Sequence, residues 1–263
     1  MPSNKDSMKN ILVVALSVCF VCAVIVSTSA VMLKPIHVKN ATLNRNKNIL
    51  IAAGLYEPGK TSADQINELF QQFDVRVVDL QEGRFLSQQE VEEVGIDVSR
   101  YDQRKASKDP SMSMNLSDNE DVAQISRRAR YSIAYLLRGD GGDIERIVLP
   151  VHGYGLWSTL YGFIALQGDG NTVTGITFYE HQETPGLGGE VDNPRWKASW
   201  EGKQIYDDDG DVALDVAKGD TRGQVHKVDA LSGATLTSNG VENLIAFWMG
   251  ENGFGPVLKE LGG

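Results

Sequence analysis

The chain has 263 residues and a net charge of −10, which argues against nucleic-acid binding because nucleic-acid-binding proteins present basic patches. Its two cysteines, Cys19 and Cys22, both lie in a long apolar stretch near the N-terminus, and the rest of the chain supplies four histidines. These are too few ligands for haem, an iron–sulfur cluster or structural zinc to be bound by this chain alone. We therefore predict no metal site.

The apolar stretch runs from Ile11 to Leu33 without a charged residue. About 20 such residues are enough to cross a bilayer as a helix. A cleaved signal peptide has a shorter apolar core and ends in small residues, such as those at 27–30. Because the apolar character continues to Leu33, the sequence favours an uncleaved anchor. Pro35 is then expected to end the helix or begin its exit, and residues 36–50 to form a juxtamembrane helix or linker.

The basic residues around this anchor give a small signal about its orientation. Two lysines precede the anchor, and four basic residues follow it: Lys34, Lys39, Arg45 and Lys47. By the positive-inside rule, this count places the large C-terminal part in the cytoplasm. The free N-terminal amine adds positive charge to the other side, so the difference is small.

The first part of the remaining chain predicts one helix and one strand. A helix is expected over Ser62–Phe73, because its apolar residues recur at helical spacing and Ser62 is a suitable N-cap. Residues 75–80 predict a strand. Residues 81–120 are charged and irregular, and they predict a long surface excursion.

The later part of the chain is rich in β-strand patterns separated by glycine-containing turns. The predicted strands are Tyr131–Leu137, Ile144–Pro150, Ser158–Gln167 and Thr172–Tyr179. A last helix is expected over Asn239–Met249, with Asn239 as its N-cap and Glu242 as the capping-box partner. The predicted fold class is α+β, an antiparallel sheet with helices packed on it.

Residues 229–238, just before that last helix, are small or carry hydroxyl groups. Small residues let a ligand approach the backbone closely, and free N–H groups at a helix start attract phosphate. Three hydroxyls are candidates for contact with a ligand: Ser232, Thr235 and Thr237. The pattern predicts an anion site, and an ordinary loop with a helix cap remains the alternative.

Residues 181–190, with the sequence HQETPGLGGE, follow the last predicted strand. Their glycines permit a tight approach of the backbone to a flat ligand, although a long turn is the alternative. The segment is not a P-loop, because no Gly-Lys-Ser/Thr follows. His181 and Glu183 lack a third ligand, so a binding loop is favoured over a metal or acid–base site.

Residues 152–158, with the sequence HGYGLWS, place aromatic residues between glycines. This pattern predicts a loop that exposes a ring, and the alternative is a core aromatic residue at the start of a strand. Trp196 and Trp200 are expected to be packing residues.

Together these segments resemble a family of FMN-binding domains in which the flavin is attached to threonine through a phosphoester. The attachment motif of that family, Asp-x-x-Ser/Thr-Gly-Ala-Thr, is complete here as Asp229, Ser232, Gly233, Ala234 and Thr235. Its His-x-Glu-Thr-Pro-Gly-Leu-Gly loop is present at 181–188. With a single N-terminal anchor and a length of 263, the sequence is similar over essentially its whole length to the NqrC family of the sodium-translocating NADH:quinone oxidoreductases.

The resemblance implies a role for each matching residue. Thr235 would carry the FMN covalently, and Asp229 would support the attachment reaction. The phosphate turn would be shaped by Ser232, Gly233 and Ala234. Further expected FMN contacts are Thr237, Glu183, Thr184, Leu187, Gly188, Trp157 and Tyr154. No residue is expected to be catalytic, because the redox chemistry belongs to the flavin.

The resemblance also implies a place for the chain. It would be an electron-carrier subunit of the sodium-transporting NADH:ubiquinone reductase, a translocase, and would not be catalytic alone. Its partners would be the other membrane and NADH-oxidising subunits, with a flavin transferase during maturation. Because attachment occurs on the outer side of the bacterial inner membrane, the resemblance places the C-terminal domain in the periplasm, against the charge count.

The predicted organisation is a tail at 1–10, an anchor at 11–33, a juxtamembrane linker at 34–60 and an extracytoplasmic domain at 61–263, with the FMN-binding part at about 130–255. Two alternative functions remain at this point. One is the equivalent subunit of an Rnf-type ferredoxin:NAD oxidoreductase, which shares the attachment motif. The other is a membrane-anchored binding domain without redox turnover.

Overall fold

The computed structural model describes residues 8–219 and 221–262, so most of the predicted tail lies outside the described residues. The chain divides into two compact units, one up to Arg45 and one from Asn46 onward. The boundaries predicted at residues 33 and 60 remain predictions.

The first element is the helix α1, Met8–Ala52, which contains the whole predicted anchor. The apolar stretch from Ile11 to Leu33 spans roughly 35 Å at a rise of 1.5 Å per residue, against about 30 Å for the hydrocarbon core of a bilayer. α1 is long and apolar enough to cross a membrane. Its most apolar stretch is not buried against any of the described residues. These properties fit a single membrane anchor.

Pro35 does not end this helix, and in this respect the sequence prediction was wrong. A proline within a helix removes one backbone hydrogen bond, but the flanking turns can persist when other contacts hold them. Here the last turns of α1 belong to the folded domain, where Ile49 and Leu50 are buried. Residues 36–50 are therefore helical, which agrees with the juxtamembrane helix and not with an irregular linker.

Removing residues 1–33 is expected to release the domain from the membrane without unfolding it. The deletion takes away the apolar stretch and leaves intact the compact unit that begins at Asn46. In a bacterial lysate, the shortened chain should stay in the supernatant after ultracentrifugation and show a cooperative thermal transition. The full-length chain should sediment with membranes. A shortened chain that aggregates or stays with the membranes would show that the predicted domain boundary is wrong.

The folded domain is built on one six-stranded sheet in which every neighbouring pair is antiparallel. In spatial order its strands are β2 (Arg84–Phe85), β1 (Phe73–Asp79), β5 (Tyr131–Arg138), β6 (Ile144–Tyr154), β7 (Thr159–Gln167) and β8 (Val173–Glu180). Two small sheets accompany it: β3 (Ser113–Asn115) with β4 (Arg127–Ala129), and β9 (Asp215–Ala217) with β10 (Lys227–Asp229). The five strands predicted from the sequence are confirmed, with shifts at their ends.

Short helices flank the sheet. They are α2 (Ala63–Phe70), α3 (Gln88–Glu93), α4 (Gln103–Ala106), α5 (Pro194–Ala198), α6 (Thr235–Met249) and α7 (Gly255–Gly262). The predicted N-cap Ser62 is confirmed, because its side chain accepts a hydrogen bond from the backbone of Gln65 and completes a capping box. The predicted excursion at 81–120 is more ordered than expected, since it contains β2, α3, α4 and β3.

The two faces of the sheet are covered by different parts of the chain. On one face α6 packs so closely on β6 that a Cβ at Gly153 would lie 2.6 Å from the Cβ of Leu244. On the other face the end of α1 crosses β8, where a Cβ at Gly175 would lie 2.5 Å from the carbonyl oxygen of Ala52. Glycine thus permits the closest contact on each side, and the domain is an α+β sandwich of three layers.

Candidate functional site

The three segments with ligand-binding patterns meet at one end of the sheet, around the carboxylate of Glu183. Oε1 of Glu183 accepts hydrogen bonds from the backbone N–H groups of Leu156, Trp157 and Ser158, at 3.1, 2.9 and 3.3 Å. Oε2 accepts a hydrogen bond from the hydroxyl of Thr237, at 2.7 Å. One side chain therefore joins the turn between β6 and β7, the loop after β8 and the first turn of α6.

Glu183 is a buried carboxylate that remains ionised. The residue is 5% exposed, and burial alone would raise the pKa of its carboxyl group. The hydrogen bonds from Thr237 and from the three backbone N–H groups outweigh this effect, so the pKa of Glu183 lies below its ordinary value. All four donors thus meet a negatively charged acceptor.

The loop after β8 is also held by its own side chains. Nδ1 of His181 accepts the N–H of Glu183 at 3.2 Å, and Nε2 lies 3.0 Å from a carboxylate oxygen of Asp192. Because Nδ1 accepts, Nε2 carries the hydrogen and donates it to Asp192. The N–H of Gln182 donates to Oγ of Ser158 at 2.7 Å, which ties this loop a second time to the β6–β7 turn.

The segment with the attachment motif leads directly into α6. Gly233 has φ = +73°, a left-handed conformation that glycine adopts without strain, and α6 begins at Thr235. The predicted start at Asn239 was therefore wrong, and Asn239 is not the N-cap. The N-cap position is Ala234, which makes no side-chain capping hydrogen bond. The helix starts four residues earlier than predicted, directly after the left-handed turn at Gly233.

Both ends of this segment are fixed by hydrogen bonds to the body of the domain. At its start, the backbone carbonyl of Asp229 accepts from the Trp196 indole at 2.7 Å, and its carboxylate accepts from the hydroxyl of Thr221 at 2.5 Å. At its end, Oγ of Ser238 accepts the N–H of Leu231 at 2.9 Å. The motif is thus presented as an ordered turn.

The candidate residues of the motif differ in accessibility. Asp229, Ser232, Gly233 and Thr235 are exposed, whereas Ala234 is buried. Thr237, which the resemblance gives as an FMN contact, is fully buried, and its hydroxyl donates to Glu183 and is not accessible from solvent. Thr235 therefore offers an accessible hydroxyl at the start of α6.

Exposed apolar side chains surround the start of α6. Trp157 is 64% exposed, and Tyr154, Leu156, Leu187 and Leu236 are also exposed. Leu187 lies close to the motif, since a Cβ at Gly233 would be 3.2 Å from its Cδ2. Apolar surface gathered beside a few polar groups is typical of a ligand or partner site. In the loop that contains Leu187, Thr184 is exposed and Gly188 is buried.

Comparisons with known proteins agree with this arrangement. A family model described as FMN-binding domain matches residues 155–250, which include all three segments in large part. The chain is 50% identical to the NqrC protein of the Na(+)-translocating NADH-quinone reductase of Pseudomonas aeruginosa, covering 98% of both chains. It is 45% identical to the same protein of Yersinia pestis, covering 99% of this chain and 95% of the relative.

The chain belongs to the NqrC family. Its fold agrees with the crystal structure of Shewanella oneidensis NqrC, at a TM-score of 0.73 and 34% identity, over 85% of this chain and 97% of that one. The corresponding reductase protein from Parabacteroides distasonis, 23% identical, has a TM-score of 0.65 and shows the same fold. The resemblance seen in the two motifs is thereby confirmed, as are the α+β fold class and the FMN-binding domain.

The residues that hold this site together could not be found from the sequence. Ser158, Asp192, Thr221 and Ser238 all make hydrogen bonds to residues of the three segments. None of them carried a signal of its own, because such partners lie apart in the sequence, by 24 residues for Ser158 and Gln182, and meet only after folding. Glu183 was predicted as a flavin contact. In the structure its carboxylate accepts hydrogen bonds from four groups of the protein.

Replacing Gly188 with alanine is expected to disturb the flavin surroundings while covalent attachment is retained. A Cβ at Gly188 would lie 2.5 Å from Oγ1 of Thr237 and 2.6 Å from Oε2 of Glu183, so these groups must move. Overpacking of this kind costs about 1–3 kcal/mol. The flavin absorption spectrum and in-gel flavin fluorescence measure the two effects. Gly141→Ala, in a turn with space for a Cβ, is the control. An unchanged spectrum and stability would contradict the prediction.

Proposed function

We propose that this chain carries FMN covalently on Thr235 and relays electrons between partner subunits of a sodium-translocating NADH:quinone oxidoreductase. The observation that carries the proposal is the position of Thr235. It is exposed, it directly follows Gly233-Ala234 of the attachment motif, and it is the first residue of α6. Relatives that are 45–50% identical over nearly their whole length carry the name of this reductase.

The residues present fit a phosphoester at this position. A phosphoester of this kind needs an aliphatic hydroxyl, which Thr235 offers to solvent and Thr237 does not. The N–H groups at the start of a helix favour negative charge, and no side chain caps α6 in the part of the chain described. Gly233 lets the backbone turn sharply just before the attachment point.

The remaining site residues would orient the ring system. The exposed side chains of Trp157, Leu187 and Leu236 offer apolar contact beside Thr235, which suits a flat and largely apolar ring. When bound, FMN supplies the redox chemistry, and this chain supplies position and surroundings. The sequence contains no dinucleotide-binding glycine fingerprint, so electrons from NADH would arrive through another subunit.

Mass spectrometry of peptides from the native chain tests the attachment. The peptide that contains residues 229–238 is expected to carry the mass of one FMN, and fragmentation should place it on Thr235. In-gel flavin fluorescence after denaturation should be positive. Absence of covalent flavin would favour the non-redox binding domain, and FMN on Ser232 or Thr237 would move the attachment site.

The partners can be tested by copurification. We propose that the chain assembles with the other subunits of the sodium-translocating complex, and that a flavin transferase modifies it during maturation. A copurified NADH-oxidising subunit would support this assignment. A ferredoxin-oxidising subunit would instead support the Rnf-type alternative, which shares the motif but not the name carried by the similar relatives.

We also propose that the anchor lies in the bacterial inner membrane with the C-terminal domain in the periplasm. A fusion of alkaline phosphatase to the C-terminus is expected to be active, because this enzyme needs the oxidising periplasm to form its disulfides. The same fusion without residues 11–33 is the control and should be inactive. An inactive full-length fusion, together with an active cytoplasmic reporter at the same position, would reverse the orientation.

A further inference from the structure

We propose that Glu183 is a positioning residue that fixes the Trp157 turn against the first turn of α6 and does not itself contact the flavin. This inference rests on the proposed function, because it takes Thr235 as the attachment point. It differs from the expectation drawn from the motif, in which Glu183 lines the flavin directly.

The first argument is that protein donors already occupy the carboxylate. Oε1 accepts three backbone N–H groups, from Leu156, Trp157 and Ser158, and Oε2 accepts the hydroxyl of Thr237. A carboxylate has about four acceptor sites in total. Three donors fill Oε1, Thr237 is bonded to Oε2, and Glu183 is 5% exposed, so very little of the carboxylate is accessible from solvent. A ligand outside the protein would meet other groups first.

The second argument is that glycine backbone closes around the carboxylate on both sides. A Cβ at Gly155 would lie 2.7 Å from Oε1, and a Cβ at Gly188 would lie 2.6 Å from Oε2. Glycine is therefore required in both segments to let them approach the same carboxylate. α6 also packs directly on the β6–β7 turn, since a Cβ at Gly240 of α6 would meet the carbonyl oxygen of Tyr154. The backbone of two of the segments therefore packs directly against the carboxylate of Glu183.

The third argument concerns which groups Glu183 connects. The N–H of Trp157 is held at 2.9 Å from Oε1, while Trp157 as a residue is 64% exposed. Thr237 lies two residues after Thr235 in the same helical turn. The carboxylate thus sets the distance between the exposed ring and the exposed hydroxyl, although it touches neither of them.

A flavin-independent experiment tests the positioning role itself. Amide hydrogen exchange is measured on the full-length chain in detergent, produced in cells without a flavin transferase. In Glu183→Ala, exchange at residues 156–158 is expected to be at least about tenfold faster, because each N–H loses a charged acceptor. Glu183→Gln should exchange like the unmodified sequence, since its amide oxygen still accepts and its NH₂ can donate to Thr237. Unchanged exchange in Glu183→Ala would overturn the inference.

A second experiment uses the flavin-loaded chain and separates position from charge. Glu183→Ala and Thr237→Val are expected to change the flavin absorption spectrum and to increase its quenching by iodide. Glu183→Gln and Thr237→Ser, which keep the hydrogen bonds, should leave both unchanged. A spectrum altered by Glu183→Gln as strongly as by Glu183→Ala would show that the carboxylate contacts the flavin, and would overturn the inference.

The Thr237 variants keep the test decisive if Glu183→Ala fails to fold. If Glu183→Ala does not fold, Thr237→Val carries the same comparison: an altered spectrum with a normal Thr237→Ser supports the positioning role, and an unaltered spectrum overturns it. A chain without any covalent flavin would refute the proposed function. The amide exchange result would still decide the role of Glu183, so the two failures are distinguishable.

Discussion

Changing Thr235 to valine is expected to abolish covalent flavin completely while the chain remains folded. Valine keeps the shape of threonine and removes the hydroxyl needed for a phosphoester. Because residue 235 is exposed, the free energy of unfolding should change by no more than about 0.5 kcal/mol. In-gel fluorescence measures the flavin, and circular dichroism with thermal unfolding measures the fold.

Thr235→Ser is the matched control, because it restores an aliphatic hydroxyl at the same position and should retain some attachment. Covalent flavin in Thr235→Val would contradict the assignment and direct attention to Ser232, the other exposed hydroxyl of the motif. Loss of flavin together with loss of the fold would show that residue 235 is structural.

Changing Trp248 to alanine is expected to cost about 3–5 kcal/mol of stability, the range for truncating a buried aromatic residue. Trp248 is fully buried at the inner end of α6, with its ring centroid 4.8 Å from that of His152 and 5.5 Å from that of Phe254. Its indole N–H donates to the carbonyl of His152 at 2.6 Å, and that carbonyl would also lose its partner.

Urea unfolding of the flavin-free chain lacking residues 1–33, followed by circular dichroism, measures this loss. Trp157→Ala is the control, since the same residue type is removed from an exposed position and should cost about 0.5 kcal/mol or less. Equal losses in the two variants would mean that Trp248 does not hold α6 to the sheet as the structure indicates.

The fold could be predicted from the sequence where local patterns decide the structure. The strands from Tyr131 onward follow alternating or continuous apolar runs bounded by glycine turns, and the Ser62 capping box is a local signal. Pro35 and Asn239 led to wrong predictions because packing, and not the local sequence pattern, decides the structure at these positions. The packing of Ile49 and Leu50 keeps α1 helical beyond its proline, and the packed turn before Thr235 starts α6 without a capping side chain.

The site could be predicted only as three separate segments. Their motifs predicted Thr235 and the loop at 181–188 as parts of the site, but not how these parts are held together. The bonds from Thr237 to Glu183 and from Trp196 to Asp229 join residues 54 and 33 positions apart. Such pairs have no sequence spacing that marks them, and neither residue type is unusual by itself. Their role becomes visible only from distance and burial.

The position of Thr235 on α6 limits how far a cofactor bonded there could travel. The outer end of the helix carries Thr235, the proposed attachment point, and the inner end is fixed among aromatic rings around Trp248. A tethered flavin would neither dissociate nor exchange with a free pool, so adding FMN to the medium should leave turnover unchanged. The rate of electron transfer would instead depend on how often the redox centre of a neighbouring subunit comes close to this fixed position.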